Sequence, residues 1–281
     1  MHIPSFLLTL FVGSACSIGA AHAETVGYTF QNGALSGPDT LSLNGFQHVT
    51  FSNRGDAEVD MTFTRLAEGA ALADYEAADR AVNAAFSGEG GDPRGPLSEI
   101  LEFASAVGGV HLQPRSEGSA YLKLEPGSYV VSASSGGGPG GPYRPSNLLL
   151  TVRSGERAAA PEADLELEMM DYHFDLPDTV PAGESLWKVA NAGAEPHFAL
   201  IFKLSEGKTA EDVTTWMTNF AGEPPVDPNG GTLLQAVTAG ETYYTPVSLT
   251  PGTYVAVCPL PNLASGAPHF ADGMVATFTV E

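Results

Sequence analysis

LTPGTYVAVCPLPNLASGAPHFADGMVATFTV, residues 249–280, is the stretch from which the rest of the chain can be read. It opens on the turn pair Pro251-Gly252 and then alternates, with Tyr254, Ala256 and Cys258 on one side and Val255 and Val257 on the other. A period of two predicts a strand. The closing segment, Met274-Val275-Ala276-Thr277-Phe278-Thr279-Val280, is strand-like in the same way. Between them lies a loop rich in Pro and Gly. His269 and Met274 stand on either side of Phe270-Ala271-Asp272-Gly273, just ahead of the last strand. Short strands separated by such breaks predict an antiparallel sandwich.

The stretch has a counterpart earlier in the chain. LEPGSYVVSA (124–133) lies over LTPGTYVAVC (249–258), and FSNRGDAEVDMTFTRLAEG (51–69) lies over VANAGAEPHFALIFKLSEG (189–207) without a gap. Pro38-Asp39-Thr40-Leu41 likewise matches Pro177-Asp178-Thr179-Val180. These matches keep their order over a unit of roughly 120 residues, which reads as one duplication and not a short-period solenoid. The predicted domains are 24–152 and 165–281. RSGERAAAPEAD, charged and Ala-rich, forms a linker over 153–164. The offset between copies falls from 138 to 125, so the first copy carries extra residues in its middle.

Each copy also predicts a helix. In TAEDVTTWMTNF (209–220), Val213, Trp216, Met217 and Phe220 recur at helical spacing behind Thr209 as N-cap, and Glu211 and Asp212 favour the helix dipole. In the first copy Asp74 is expected to cap a helix with Tyr75, Ala78, Val82, Ala85 and Phe86 on one face. LSEILEFASAV (97–107) is expected to form a second helix that accounts for the extra length.

Residues 5–12, SFLLTLFV, are too short to span a bilayer, and small residues follow to Ala21-His22-Ala23. That pattern predicts a signal peptide over 1–23, although no Lys or Arg precedes the apolar run. Lipidation at Cys16 is the weaker alternative, because Gly13 stands where a bulky apolar residue is expected. A periplasmic or extracellular protein without a membrane span follows. The formal charge is −21, with 33 acidic against 12 basic residues. Such a surface repels phosphate backbones and argues against nucleic acid. It suits solubility, or a redox partner with a basic docking surface. The chain leaves the oligomeric state open. Once residues 1–23 are removed, Cys258 is the only cysteine, so no intramolecular disulfide forms. A lone exported thiol is either buried or bound to a metal.

Singly, each candidate ligand has a commoner explanation. His197 suits a satisfied strand histidine, Cys258 a small buried residue, Met274 ordinary core and His269 an exposed loop position. Together they supply what copper cycling between Cu(I) and Cu(II) requires: one soft thiolate, two imidazoles and a weak axial thioether. His197 enters a strand behind Asn191-Ala192-Gly193-Ala194-Glu195-Pro196, and the other three flank the loop joining the last two strands.

On these motifs the chain resembles the cupredoxin superfamily of blue copper, plastocyanin-like and nitrite-reductase-like proteins. NAGAEPHFALIF resembles the turn and strand that carry the first ligand, and CPLPNLASGAPHFADGM resembles the Cys…His-x4-Met ending, with Gly before Met. The ten residues between Cys258 and His269 are nearer the longer nitrite-reductase loop than the short one of plastocyanins. Phe198 stands where plastocyanins usually have a hydrogen-bonding residue. Residues 165–281 also look like a group of secreted cupredoxin-like bacterial proteins. The resemblance implies an all-β chain of two tandem Greek-key cupredoxin-like β-sandwiches, each with a short helical insertion. It implies one copper per chain, held by His197, Cys258, His269 and Met274.

The first copy lacks this set. Val59 stands at the position of His197 and Ala133 at that of Cys258, and the loop SSGGGPGGPYRPSN has neither His nor Met. His48 and His173 fall on the polar sides of strands and His111 in a loop, so all three are expected to face solvent.

Enzyme signatures are missing from the sequence. Val257 and Pro259 flank Cys258, so no adjacent His reaches a second copper, and no His-x-His, Gly-x-Ser-x-Gly, phosphate loop or dinucleotide fingerprint occurs. The expected function is one-electron transfer by a secreted, non-enzymatic copper protein, with His269 at the exposed edge as electron exit. The alternatives are a copper carrier or storage protein, and a metal-free structural or interaction module.

Overall fold

In both copies a buried asparagine and a buried tyrosine fix the turns around which the strands are laid out. Asn53 Nδ2 donates to the carbonyls of Ala57 and Gln113, and its Oδ1 accepts the Gly55 amide. Asn191 repeats this with the carbonyls of Glu195 and Val237 and the Gly193 amide. The Tyr129 hydroxyl donates to the carbonyl of Glu125, four residues back, and Tyr254 does the same to Thr250. A polar group this deep is kept only with its partners in place, so these side chains specify the turns rather than merely fill space.

The structure, a computed structural model, describes residues 25–136 and 143–281. The expected signal peptide, Cys16 and part of the Gly-rich loop lie outside the described residues. The N-terminal half contains β1 (Thr25–Gln31), β2 (Ala34–Ser36), β3 (Thr40–Asn53), β4 (Val59–Leu66), α1 (Leu72–Phe86), α2 (Arg94–Leu101), β5 (Ala104–Leu112), β6 (Glu117–Leu124), β7 (Gly127–Ser135) and β8 (Arg144–Ala158). The C-terminal half contains β9 (Leu165–Met170), β10 (His173–Asp175), β11 (Thr179–Val180), β12 (Gly183–Asn191), β13 (His197–Leu204), α3 (Ala210–Asn219), β14 (Val226–Val237), β15 (Thr242–Leu249), β16 (Gly252–Val257) and β17 (Val275–Val280).

The pairings repeat. β4 pairs with β5 and β7 as β13 does with β14 and β16, and β3 with β6 as β12 does with β15. Strand β1 runs parallel to β3, and β9 parallel to β12. Each half is therefore a two-layer Greek-key sandwich, as the resemblance implied. The layers also continue from one half into the other. One runs β10-β9-β12-β15-β6-β3-β1-β2 and the other β11-β17-β16-β13-β14-β5-β4-β7-β8, because β15 pairs with β6 and β14 with β5. Strands at equivalent positions in the two copies thus meet each other.

Alternation builds the core. Tyr254, Ala256 and Cys258 point between the layers, whereas Val255 and Val257 point outward beneath Val213 and Met217 of α3. Thr209 caps α3 as expected, accepting the Asp212 amide, but Phe220 is 58% exposed. Other expectations need correction. Ala71 is the N-cap of α1, and Asp74 sits in its first turn, where its side chain accepts the Ala71 amide. Phe86 is exposed. The second helix spans Arg94–Leu101 and not 97–107, because Ala104 onward is claimed by β5 between β4 and β14; tertiary pairing overrides local propensity here. Strand β8 runs to Ala158, so only 159–164 of the expected linker is irregular.

The junction is tight at Gly108, whose φ is +112°. A Cβ there would lie 2.6 Å from the ring of Tyr243, itself fully buried. Gly108→Val should therefore cost roughly 2–5 kcal/mol, from positive-φ strain and overpacking together. Denaturant unfolding would show this as a lower midpoint. An unchanged midpoint would mean that the junction yields.

Candidate metal centre

The first strand of the ligand set is β13, which places His197 at its entry in the core. Cys258 follows the last residue of β16. A 3-10 turn over His269–Asp272 and Gly273 then carry the chain to Met274. Backbone hydrogen bonds bracket the group: Phe270 N donates to Cys258 O, Cys258 N to Met274 O and Met274 N to His269 O. The structure brings the four expected residues to one end of the sandwich, all at 0% exposure.

Nδ1 of His197 lies 3.1 Å from Nδ1 of His269, and Cys258 Sγ is 3.5 Å from the latter. The three donor atoms fall within 4.8 Å of one another, the only such His/Cys/Asp/Glu group among the described residues. Bonds of about 2.0 Å to nitrogen and about 2.3 Å to sulfur span the 3.1 Å and 3.5 Å separations around a single ion.

Both imidazoles are oriented from behind. His197 Nε2 lies 2.7 Å from Asp171 Oδ1, and His269 Nε2 3.0 Å from Glu195 Oε2. A carboxylate accepts, so each Nε2 carries the proton and each Nδ1 turns its lone pair inward. Two lone pairs then face each other in a buried site beside a thiol, an arrangement that a cation satisfies. The donor set thus fits the copper that the resemblance implies.

Asp171 sits in the turn between β9 and β10. Burial alone would raise its pKa, but hydrogen bonds from the Ala194 and Glu195 amides and from His197 hold it below the ordinary carboxylate value. Burial chiefly lowers the His197 pKa and keeps that ring neutral. Burial also pushes the Cys258 thiol up to about 11, against amide hydrogen bonds from Phe198 and Leu260. Phe198 thus meets the sulfur through its backbone, without needing a polar side chain. Gly193 is required where these groups crowd: a Cβ would come within 2.4 Å of Asp171 Oδ1 and 2.8 Å of His197 Nε2.

Three findings depart from the sequence expectations. His269 is not at an exposed edge. The Tyr172 ring packs on it with centroids 4.8 Å apart, and Glu195 closes over its outer nitrogen, so the expected electron exit through an exposed His269 is withdrawn. His111 lies in β5 and not in a loop; Asp60 binds its ring at 2.9 Å and raises its pKa. His173 is exposed as expected, whereas His48 is half-buried. Sequence reasoning missed Asp171, Glu195 and Tyr172. The nearest signal was the position of Glu195 inside the turn leading to His197. In the N-terminal half Val59, Met61 and Ala133 fill the corresponding space with apolar side chains.

No protein-family model and no curated protein matches the chain. Among solved structures it is similar to auracyanin B, at 19% identity over 43% of this chain and 92% of that one, with a TM-score of 0.28. A dithionite-reduced auracyanin from the photosynthetic bacterium Roseiflexus castenholzii matches at 25% identity over 41% of this chain and 94% of that one, with a TM-score of 0.28. A multicopper oxidase from Campylobacter jejuni matches at 9% identity over 92% of this chain and 64% of that one, with a TM-score of 0.24.

Proposed function

We propose that this tandem cupredoxin-like chain is an exported copper protein. Its C-terminal half would hold one ion in a type 1-like site and use it for one-electron transfer. The observation that carries this reading is the convergence of His197 Nδ1, His269 Nδ1 and Cys258 Sγ in a fully buried pocket whose outer nitrogens are already tied to carboxylates. Copper bound there would supply the exchange between Cu(I) and Cu(II). The chain supplies the rest. Phe198 and Leu260 amides steady the thiolate. Asp171 and Glu195 lock the ring orientations, and the bracketing backbone bonds keep Met274 beside them. Ligands that move little on a change of charge suit electron transfer.

A carrier that hands its ion to a partner needs a ligand that the partner can reach, and burial of all four residues favours electron transfer over that reading. The flanks Val257 and Pro259 offer no imidazole to relay an electron to a second metal, which favours a carrier over an oxidase. Export is proposed from the first 23 residues and the lone thiol. Among the described residues no helix is long and apolar enough to cross a membrane. The excess of acidic residues suits a basic redox partner.

The test is a copper titration of residues 24–281, prepared metal-free and reduced, with Cys258→Ser as control. The expected result is one copper per chain, an intense thiolate-to-Cu(II) absorption absent from the variant, and a reversible redox couple. Tight Cu(I) binding without that absorption would favour a carrier. No binding at all would favour a metal-free module.

A further inference from the structure

The loop between Cys258 and His269 is held from two sides, and one of them belongs to the other half of the molecule. On the near side Glu195 Oε2 accepts both His269 Nε2 and the Leu263 amide. Within the loop, Asn262 Oδ1 accepts the amides of Ala264 and Ser265, while its Nδ2 donates to Asp272 in the turn that begins with His269. On the far side Arg94, the first residue of α2, donates from Nη1 to the carbonyl of Ala264 at 3.0 Å. Its guanidinium lies against Gly266. That residue has φ +80°, and a Cβ there would meet Arg94 Nε at 3.2 Å. Arg94 is itself pinned, because both Asp92 carboxylate oxygens accept from its fork.

Arg94 is thus joined to a candidate ligand by three hydrogen bonds on either route. One runs through Ala264, Asn262 and Asp272 to the His269 turn, and the other through Leu263 and Glu195 to His269 itself. The residue lies in the segment that lengthens the first copy relative to the second, and its partner is 170 positions away. A planar fork held on one side by a carboxylate keeps its remaining donors aimed, which a flexible ammonium does not.

We infer that Arg94 is a positioning residue for the metal centre. The ligand-free N-terminal half thereby acts as a clamp on the ligand loop of the C-terminal half. The inference rests on the copper reading for its effect on the metal, but not for the clamp itself.

The experiment compares wild type, Arg94→Ala and Arg94→Lys in residues 24–281. In the metal-free proteins, amide exchange at Ala264, Ser265 and Gly266 should be about five- to tenfold faster in Arg94→Ala, as loss of one hydrogen bond implies. Exchange at Val255 should stay unchanged. In the copper-loaded proteins the charge-transfer band should shift, and copper should pass to a chelator about five- to tenfold faster. Arg94→Lys should behave like the alanine variant, because the charge survives but the fork does not. It also serves if the alanine variant fails to fold. Wild-type exchange in the loop would overturn the clamp, as would acceleration spread evenly over the chain. A loosened loop with an unshifted band and unchanged release would overturn the positioning role. If even wild type binds no copper, the copper reading fails and exchange alone decides the clamp.

Discussion

Between pH 7 and pH 9 the copper affinity is expected to rise about a hundredfold, because a thiol must lose its proton to become a ligand and each pH unit then adds tenfold. Burial moves Cys258 from its ordinary 9.0 to about 11, so the metal-free protein holds the thiol proton throughout that range. His197, held below its ordinary pKa, is already neutral and adds no competing proton. The rise should level off only as the thiol itself ionises near pH 11. Titration at several pH values, with a competing chelator of known affinity, measures it. A flat profile would mean that Cys258 is not a ligand or is already ionised.

The same pKa acts on folding with the opposite sign. In the metal-free chain the unfolded thiol ionises first while the buried one resists, so stability present below pH 9 is lost as the pH rises towards 11. Two pH units at 1.36 kcal/mol each bound this loss at about 3 kcal/mol. Buried tyrosines whose pKa values are also raised, Tyr28 and Tyr129 among them, add to the loss above pH 10. The difference between wild type and Cys258→Ala isolates the thiol.

Glu195→Ala is expected to cost about ten- to a hundredfold in copper affinity, the usual consequence of removing the group that orients a ligating histidine. Several bonds disappear at once: those from His269 Nε2, the Leu263 amide and the Tyr172 hydroxyl. The truncation releases the ring, the loop and the aromatic cover together. Glu195→Gln keeps an acceptor oxygen and should lose much less. If both variants bind as wild type does, the loop holds His269 without help, and the carboxylate serves only the surface.

The strands, the repeat and the ligands were legible because each is written locally. Tyr254, Ala256 and Cys258 alternate with Val255 and Val257, and His269 and Met274 follow at short spacing. The partners of the ligands were not. Asp171 reaches His197 from another turn, and its role exists only once β9 lies beside β12. Burial of His269 escaped the sequence for the same reason, since Tyr172 and Glu195 come from other segments. The false helical reading of Ala104 to Val107 shows the limit from the other side. A local pattern of good helix formers gave way to a strand position between β4 and β14 that no local pattern records.

The junction where β6 meets β15 and β5 meets β14 pairs Tyr243 with Leu122, Tyr244 with Tyr121 and Val237 with Val107. Gln235 donates to Asp60 and Thr245 to the Ser119 carbonyl across the same seam, and two separate chains would meet on these surfaces only as often as their concentration allowed. Joined through residues 159–164, the partners meet at an effective concentration fixed by the tether, in the millimolar range typical of short flexible connections. Their association therefore does not depend on how much protein is present. Cutting the chain between Ala159 and Asp164 would make that association obey the law of mass action.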